Sequence, residues 1–284
     1  MPPEWLRIRQ ARTDVTDYLI HWTRGTTDVN GNSTSAYDIL KLIIKCGYLI
    51  PSFAPKKRVT VGDRENTIRG HHPAVCLTEQ PLNSFVQSCK VLPSRYQPYA
   101  IALRKDRLFV YGGRPVVYGD ENLLAALPDD WKYLWVRYNP IPNVELGGYP
   151  IDWTHEREWR VRATKYLYSS GETGPQEGVP LLLPPQMAIP KPIWYLPWIL
   201  VKTKAEVNAF HKFISILPQY KGTSKIFRLY FDILKKAPVI SLDDVETNIK
   251  NNDDRWSRLD TLPLEEIDES AKKIFKRLGW RDLK

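Results

Sequence analysis

The chain has 284 residues, 43% of them hydrophobic, with 10 Trp, 15 Tyr and 8 Phe, which excludes a disordered protein and supports a sizeable core. Its 41 Lys and Arg outnumber 32 Asp and Glu, and the resulting formal charge of +9 suits a polyanionic partner such as nucleic acid or a phosphate-bearing cofactor. No run approaches the roughly 20 apolar residues of a membrane span, so no membrane association is expected.

The start, Met1 to Trp5, has no basic region leading into an apolar stretch, so no secretion signal is expected. Cys46, Cys76 and Cys89 are few, odd in number and without metal-type spacing; buried thiols in a reducing cytoplasm are the simplest expectation.

In chain order, Tyr18-Leu19-Ile20-His21-Trp22-Thr23 reads as an apolar strand ending in polar residues, followed by a Thr/Gly/Asn/Ser-rich loop over 26–35. Ser35 is placed to cap a helix in which Ala36, Ile39, Leu40, Ile43 and Ile44 recur at helical spacing, and Gly47 stops it. Tyr48 to Ser52 reads as a short strand, and 56–72 as a long basic loop. Within that loop His71-His72 lacks the Cys, Asp or Glu spacing of a metal site. Ala74 to Thr78 is a further buried strand, 81–89 a helical stretch, and Tyr99 to Leu103 another strand.

Gly112-Gly113-Arg114-Pro115 predicts a tight turn into a strand ending at Gly119. A short helix over 123–127 and a strand over 133–138 follow, and a Pro/Gly-rich connection leads to residue 150. After a Gly/Ser/Pro-rich loop (169–180) and a Pro-rich apolar region comes Ile199-Leu200-Val201, a last strand. Helices are expected over 206–217, 224–235 and 264–278.

The segment with the most chemistry is Asp152 to Arg162. Its period-two alternation predicts one strand, with Glu156, Glu158, Arg160 and Arg162 on one face and His155, Arg157, Trp159 and Val161 on the other. Carboxylates two residues apart on a strand lie roughly 7 Å apart, close enough to serve one substrate. The plain alternative is a salt-bridge ladder on a solvated face.

Three pieces therefore follow one another: His21-Trp22-Thr23 at the end of an early strand, Arg114 to Tyr118 in the middle, and Glu156-Arg157-Glu158 late. Their order over Tyr18 to Val161 resembles the ADP-ribosyltransferase superfamily, in which an early strand supplies a His or Arg and a late strand a catalytic Glu, often as Glu/Gln-x-Glu. The run Tyr18 to Ser52 is also similar to the opening of DarT-like bacterial toxin and phage-defence transferases.

That resemblance implies an α+β fold. Its core would be a split antiparallel β-sheet with flanking helices, in a catalytic domain spanning 1–203 with a helical extension over 204–284 packed on it. It implies NAD as substrate, bound by His21, Trp22, Thr23, Arg114 and Tyr118, with Glu158 stabilising the charge that develops on the ribose and Glu156 polarising the acceptor. Tyr111 competes with Tyr118 for the place stacked on nicotinamide, and the late motif shifted by one step makes Glu156 the catalytic residue. The acceptor would be a macromolecule, with DNA or RNA suggested by charge, and an antitoxin or a phage protein is the expected regulatory partner. Two other classes stay open: a Mg²⁺-dependent nuclease holding metal on Asp152 and Glu158 beside Arg160, and a non-catalytic binding module.

Overall fold

The computed structural model describes residues 4, 12, 14–28, 30–53, 67–141, 149–162, 167–168, 176–182, 193–194, 196–219, 225–250 and 265–266. Its centre is a seven-stranded sheet built from β1 (Tyr18–Trp22), β2 (Ala74–Thr78), β3 (Ala100–Arg104), β4 (Arg114–Pro115), β5 (Glu158–Arg162), β6 (Trp198–Val201) and β7 (Val239–Ser241), in the order β7-β6-β3-β1-β2-β5-β4. Every neighbouring pair is antiparallel except β6 and β7, which run parallel. The fold is thus α+β with a mixed sheet, where a purely antiparallel one was expected.

Strand alternation sorts the apolar residues onto two faces. Leu19, Leu77, Ile101, Val161 and Val201 face one way, against Leu40 and Ile44 of α1 (Ala36–Cys46). Phe210 and Ile214 of α5 (Lys204–Ile216) and Phe231 and Leu234 of α6 (Lys225–Leu234) complete that core. Ile20, Ala100, Ala102 and Leu200 face the other way, onto Leu82, Phe85 and Val86 of α2 (Leu82–Val91) and Leu242 and Val245 of α7 (Leu242–Lys250). Two shorter helices, α3 (Lys105–Val110) and α4 (Glu121–Ala126), lie in the middle of the chain. The described elements over 204–250 therefore pack on the same core as the rest, and β7 forms an edge of the sheet. No described helix is long and apolar enough to cross a membrane.

Caps fix the helix ends as their residue types require. Ser35 accepts the Asp38 amide at the start of α1, and Thr203 and Glu206 form a reciprocal capping box on α5. Gly47 ends α1 at φ +85°, where an added Cβ would stand 3.1 Å from Cζ of Tyr230. Gly47→Ala should therefore lower stability by about 1–2 kcal/mol, read as a lower urea midpoint at unchanged slope.

Among the expected elements, the loop over 56–72 lies outside the described residues as far as 66. The helix over 264–278 also lies outside them, apart from Glu265–Glu266, which pair as a two-residue strand with Ile193–Trp194. The stretch 133–138 divides into a 3-10 turn, Asp129–Leu134, and a strand, Trp135–Arg137, which runs parallel to Val117–Gly119.

The largest correction falls on Asp152 to Arg162, which is not one strand. Thr154–Glu156 form a 3-10 turn, and Arg157 follows at φ 44°, ψ 50°, the one non-glycine residue with positive φ among those described. Only then does β5 begin. The kink breaks the period-two register, so Glu156 does not share a face with Glu158, Arg160 and Arg162.

Candidate functional site

At the middle of the sheet the ladder opens. β1 holds β3 through five registered pairs and β2 holds β5 through five, whereas β1 and β2 are joined by a single registered pair, Ile20↔Thr78. Beyond it the two strands diverge, and His21 stands at the divergence. Its Nδ1 meets the Cys76 main-chain carbonyl at 2.8 Å. A carbonyl only accepts, so Nδ1 carries the proton, and in the neutral ring Nε2 is an acceptor. No group of the described residues takes up Nε2.

Burial is the main influence on the His21 ring and lowers its pKa; the Cys76 carbonyl opposes that, and Arg24 adds to it. A histidine depressed in the folded state binds its proton more readily once unfolded, so stability should fall as pH drops through the unfolded-state value of roughly 6.5. Urea midpoints at pH 7.5 and pH 5 should differ more for the natural chain than for His21→Gln.

Around Trp22, at the C-terminal end of β1, and the 154–156 turn the structure gathers an acidic and aromatic cluster. Glu156 is 6% exposed, and its Oε1 accepts three bonds: Arg95 Nε at 3.1 Å, Arg95 Nη2, and Tyr96 Oη at 2.7 Å. Burial, and next the bond to Glu156, push the Tyr96 hydroxyl up to about 12, so it stays a donor. Oε2 of Glu156 has no partner among the described residues. Tyr96 packs on Trp22 with ring centres 5.2 Å apart, and the Arg95 guanidinium lies 4.5 Å from the Trp153 ring centre.

Glu158 has a separate arginine. Its carboxylate takes Arg160 Nε at 2.8 Å and Nη2 at 3.3 Å, while Arg160 Nη1 reaches the carbonyls of Tyr133 and Trp135. Burial works against the charge on Arg160, and Glu158 together with Cys76 outweighs it, leaving the guanidinium pKa raised. The Cys76 thiol lies against this pair; burial first, and the Glu158 charge next, push its pKa up, so it is protonated and unreactive. Cys76 thus stands between the two expected residues, its carbonyl on His21 and its thiol toward Glu158.

The expected residues divide accordingly. Trp22, Tyr118, Glu156 and Glu158 come together: Tyr118 Oη donates to the Trp153 carbonyl and accepts the Glu158 amide, each at 3.2 Å. Tyr111 packs on the main core instead, leaving Tyr118 as the aromatic beside the carboxylates. In regular alternation His21 shares the face of Leu19, opposite to Ile20 and Trp22, and its ring bonds to the Cys76 carbonyl.

Thr23 is spent on structure, its hydroxyl donating to the Ala36 carbonyl at 2.8 Å and thereby tying β1 to α1. Arg114 sits on the outer edge strand with its guanidinium 3.8 Å from the Phe109 ring centre and Nη1 bonded to the carbonyls of Phe109 and Gly113. Its backbone lies opposite Arg160 across β4 and β5, but its guanidinium turns to Phe109 and Gly113 rather than to a carboxylate. Asp152 is engaged by the amide and hydroxyl of Thr154 and Glu158 by Arg160, so the pair expected of a nuclease turns to different partners. No group of three metal-ligating side chains occurs among the described residues.

The salt-bridge ladder is also set aside, because both glutamates are withdrawn from bulk water. Residues that sequence reasoning missed are Arg95 and Tyr96, from an irregular loop, and Thr78, Glu79 and Gln80, which leave β2 beside the 154–156 turn. A polar Thr-Glu-Gln run directly after an apolar strand was the one available signal. No family model matches the chain, and neither a curated protein nor a solved structure matches it.

Proposed function

We propose that the chain is an NAD-dependent ADP-ribosyltransferase that modifies a macromolecule, with nucleic acid as the acceptor class suggested by its charge, in bacterial toxicity or phage defence. The observation that carries this reading is the pair Glu156 and Glu158: two carboxylates withdrawn from water, each gripped by its own arginine, among Trp22, Tyr96, Tyr118 and Trp153 where the sheet divides beside His21. Breaking the bond between ribose and nicotinamide develops positive charge on the sugar, and a carboxylate fixed in a low-dielectric surround stabilises that charge more strongly than one in water. Glu158 takes this role.

Glu156 keeps Oε2 for the acceptor, while its Oε1 is committed. His21 offers Nε2 to a ribose hydroxyl, and Tyr118 and Trp22 offer ring faces to the nicotinamide or the acceptor. Thr23 and Arg114 have no part in this arrangement.

Incubation with NAD⁺ labelled in the adenylate, together with DNA, RNA or protein, tests the proposal. Label should transfer to one acceptor class with release of nicotinamide. Neither transfer nor release, with Mg²⁺-dependent cutting of the nucleic acid instead, would sink it and favour the nuclease.

A further inference from the structure

Three successive residues leaving β2 bind three successive carbonyls of the turn that carries the carboxylates. Gln80 Nε2 donates to the His155 carbonyl at 2.9 Å, the Thr78 hydroxyl donates to the Glu156 carbonyl, and the Glu79 amide donates to the Arg157 carbonyl at 3.0 Å. Thr78 is fully buried and Gln80 is 5% exposed. The gripped segment contains the Arg157 backbone, held in a left-handed conformation that L-residues seldom adopt, so it needs outside support to persist.

The second observation concerns Gln80 alone. Its Oε1 is buried and no described group donates to it. A buried acceptor without a donor weakens a fold, and leucine at this position would remove the defect. Gln80 is thus a poor choice for stability and a good one for holding the His155 carbonyl.

We propose that Thr78 and Gln80 are positioning residues: through the turn's carbonyls they set the kink at Arg157 that sends Glu156 toward Arg95 and Glu158 toward Arg160. Neither side chain need touch substrate. The inference rests on the transferase reading for its consequence in turnover, and on the geometry alone for its consequence in the turn.

The test uses the full chain with Thr78→Val, Thr78→Ser, Gln80→Leu and NAD⁺ as probe. The turn's amides are bonded within it or to Tyr118, so their hydrogen exchange reports its closure. In Thr78→Val and Gln80→Leu, exchange over 156–158 should rise at least about tenfold while β3 is unchanged. Nicotinamide release should fall about tenfold in kcat at unchanged KM, and Thr78→Ser should restore both. Unchanged exchange over 156–158, an equal rise across the whole sheet, or a Thr78→Ser no better than Thr78→Val each overturns the inference. If the natural chain turns over no NAD⁺ while exchange responds as stated, the transferase reading falls and the positioning role stands.

Discussion

Arg160→Met is expected to destabilise the chain by about 3–5 kcal/mol, because it leaves a buried carboxylate without its countercharge. Arg160 is 4% exposed and spends its guanidinium on Glu158 and on the carbonyls of Tyr133 and Trp135. Methionine fills a similar volume but donates nothing. Three acceptors therefore lose a donor at once, and Glu158 is left facing a protonated Cys76 thiol.

For a chain of this size about 1 kcal/mol corresponds to roughly 2–4 °C, so the melting temperature should drop by about 6–20 °C. A scanning melt checks it. The mechanism has its own control: adding Glu158→Leu to Arg160→Met should recover much of the loss, since an apolar pair replaces an ionic one. A single variant that melts within about 2 °C of the natural chain would show that the pair contributes nothing to the fold.

Glu158→Gln should reduce nicotinamide release by about 100-fold or more per folded molecule, on top of a loss of stability from leaving the buried Arg160 without its countercharge. The amide oxygen still accepts from Arg160, so the loss falls on charge rather than on shape. The measured quantity is kcat, because a group that acts on the developing charge of the ribose lowers kcat and kcat/KM together. Glu156→Gln keeps an acceptor for Arg95 and Tyr96 and should cost less. Full activity in Glu158→Gln together with loss in Glu156→Gln would exchange the two roles.

Much of the frame was legible because its signals are local. Tyr18 to Trp22, Ala74 to Thr78 and Trp198 to Val201 are apolar runs of strand length, and Ser35 and Gly47 mark the ends of α1 through side-chain chemistry and left-handed backbone. The break at Arg157 left no such mark. Alternating Glu and Arg residues read as a strand, and nothing about an arginine announces positive φ.

The partners of Glu156 come from Arg95 and Tyr96, some sixty residues earlier in a loop without periodicity, and only the folded chain brings them to the turn. Arg114 illustrates the reverse case. It was plausible by its order in the chain, but Phe109 and the Gly113 carbonyl, near neighbours in sequence, claim it first.

The parallel pairing of β6 with β7 has a bearing on synthesis. All four β6 residues are buried, and the strand's outer hydrogen-bonding edge is covered by residues that leave the ribosome about forty positions later. Until then a nascent chain presents an unpaired apolar strand, the form most prone to pair with another copy. A chain halted after β6 would meet that hazard permanently, so the pairing of β7 is the step that covers the buried β6 strand.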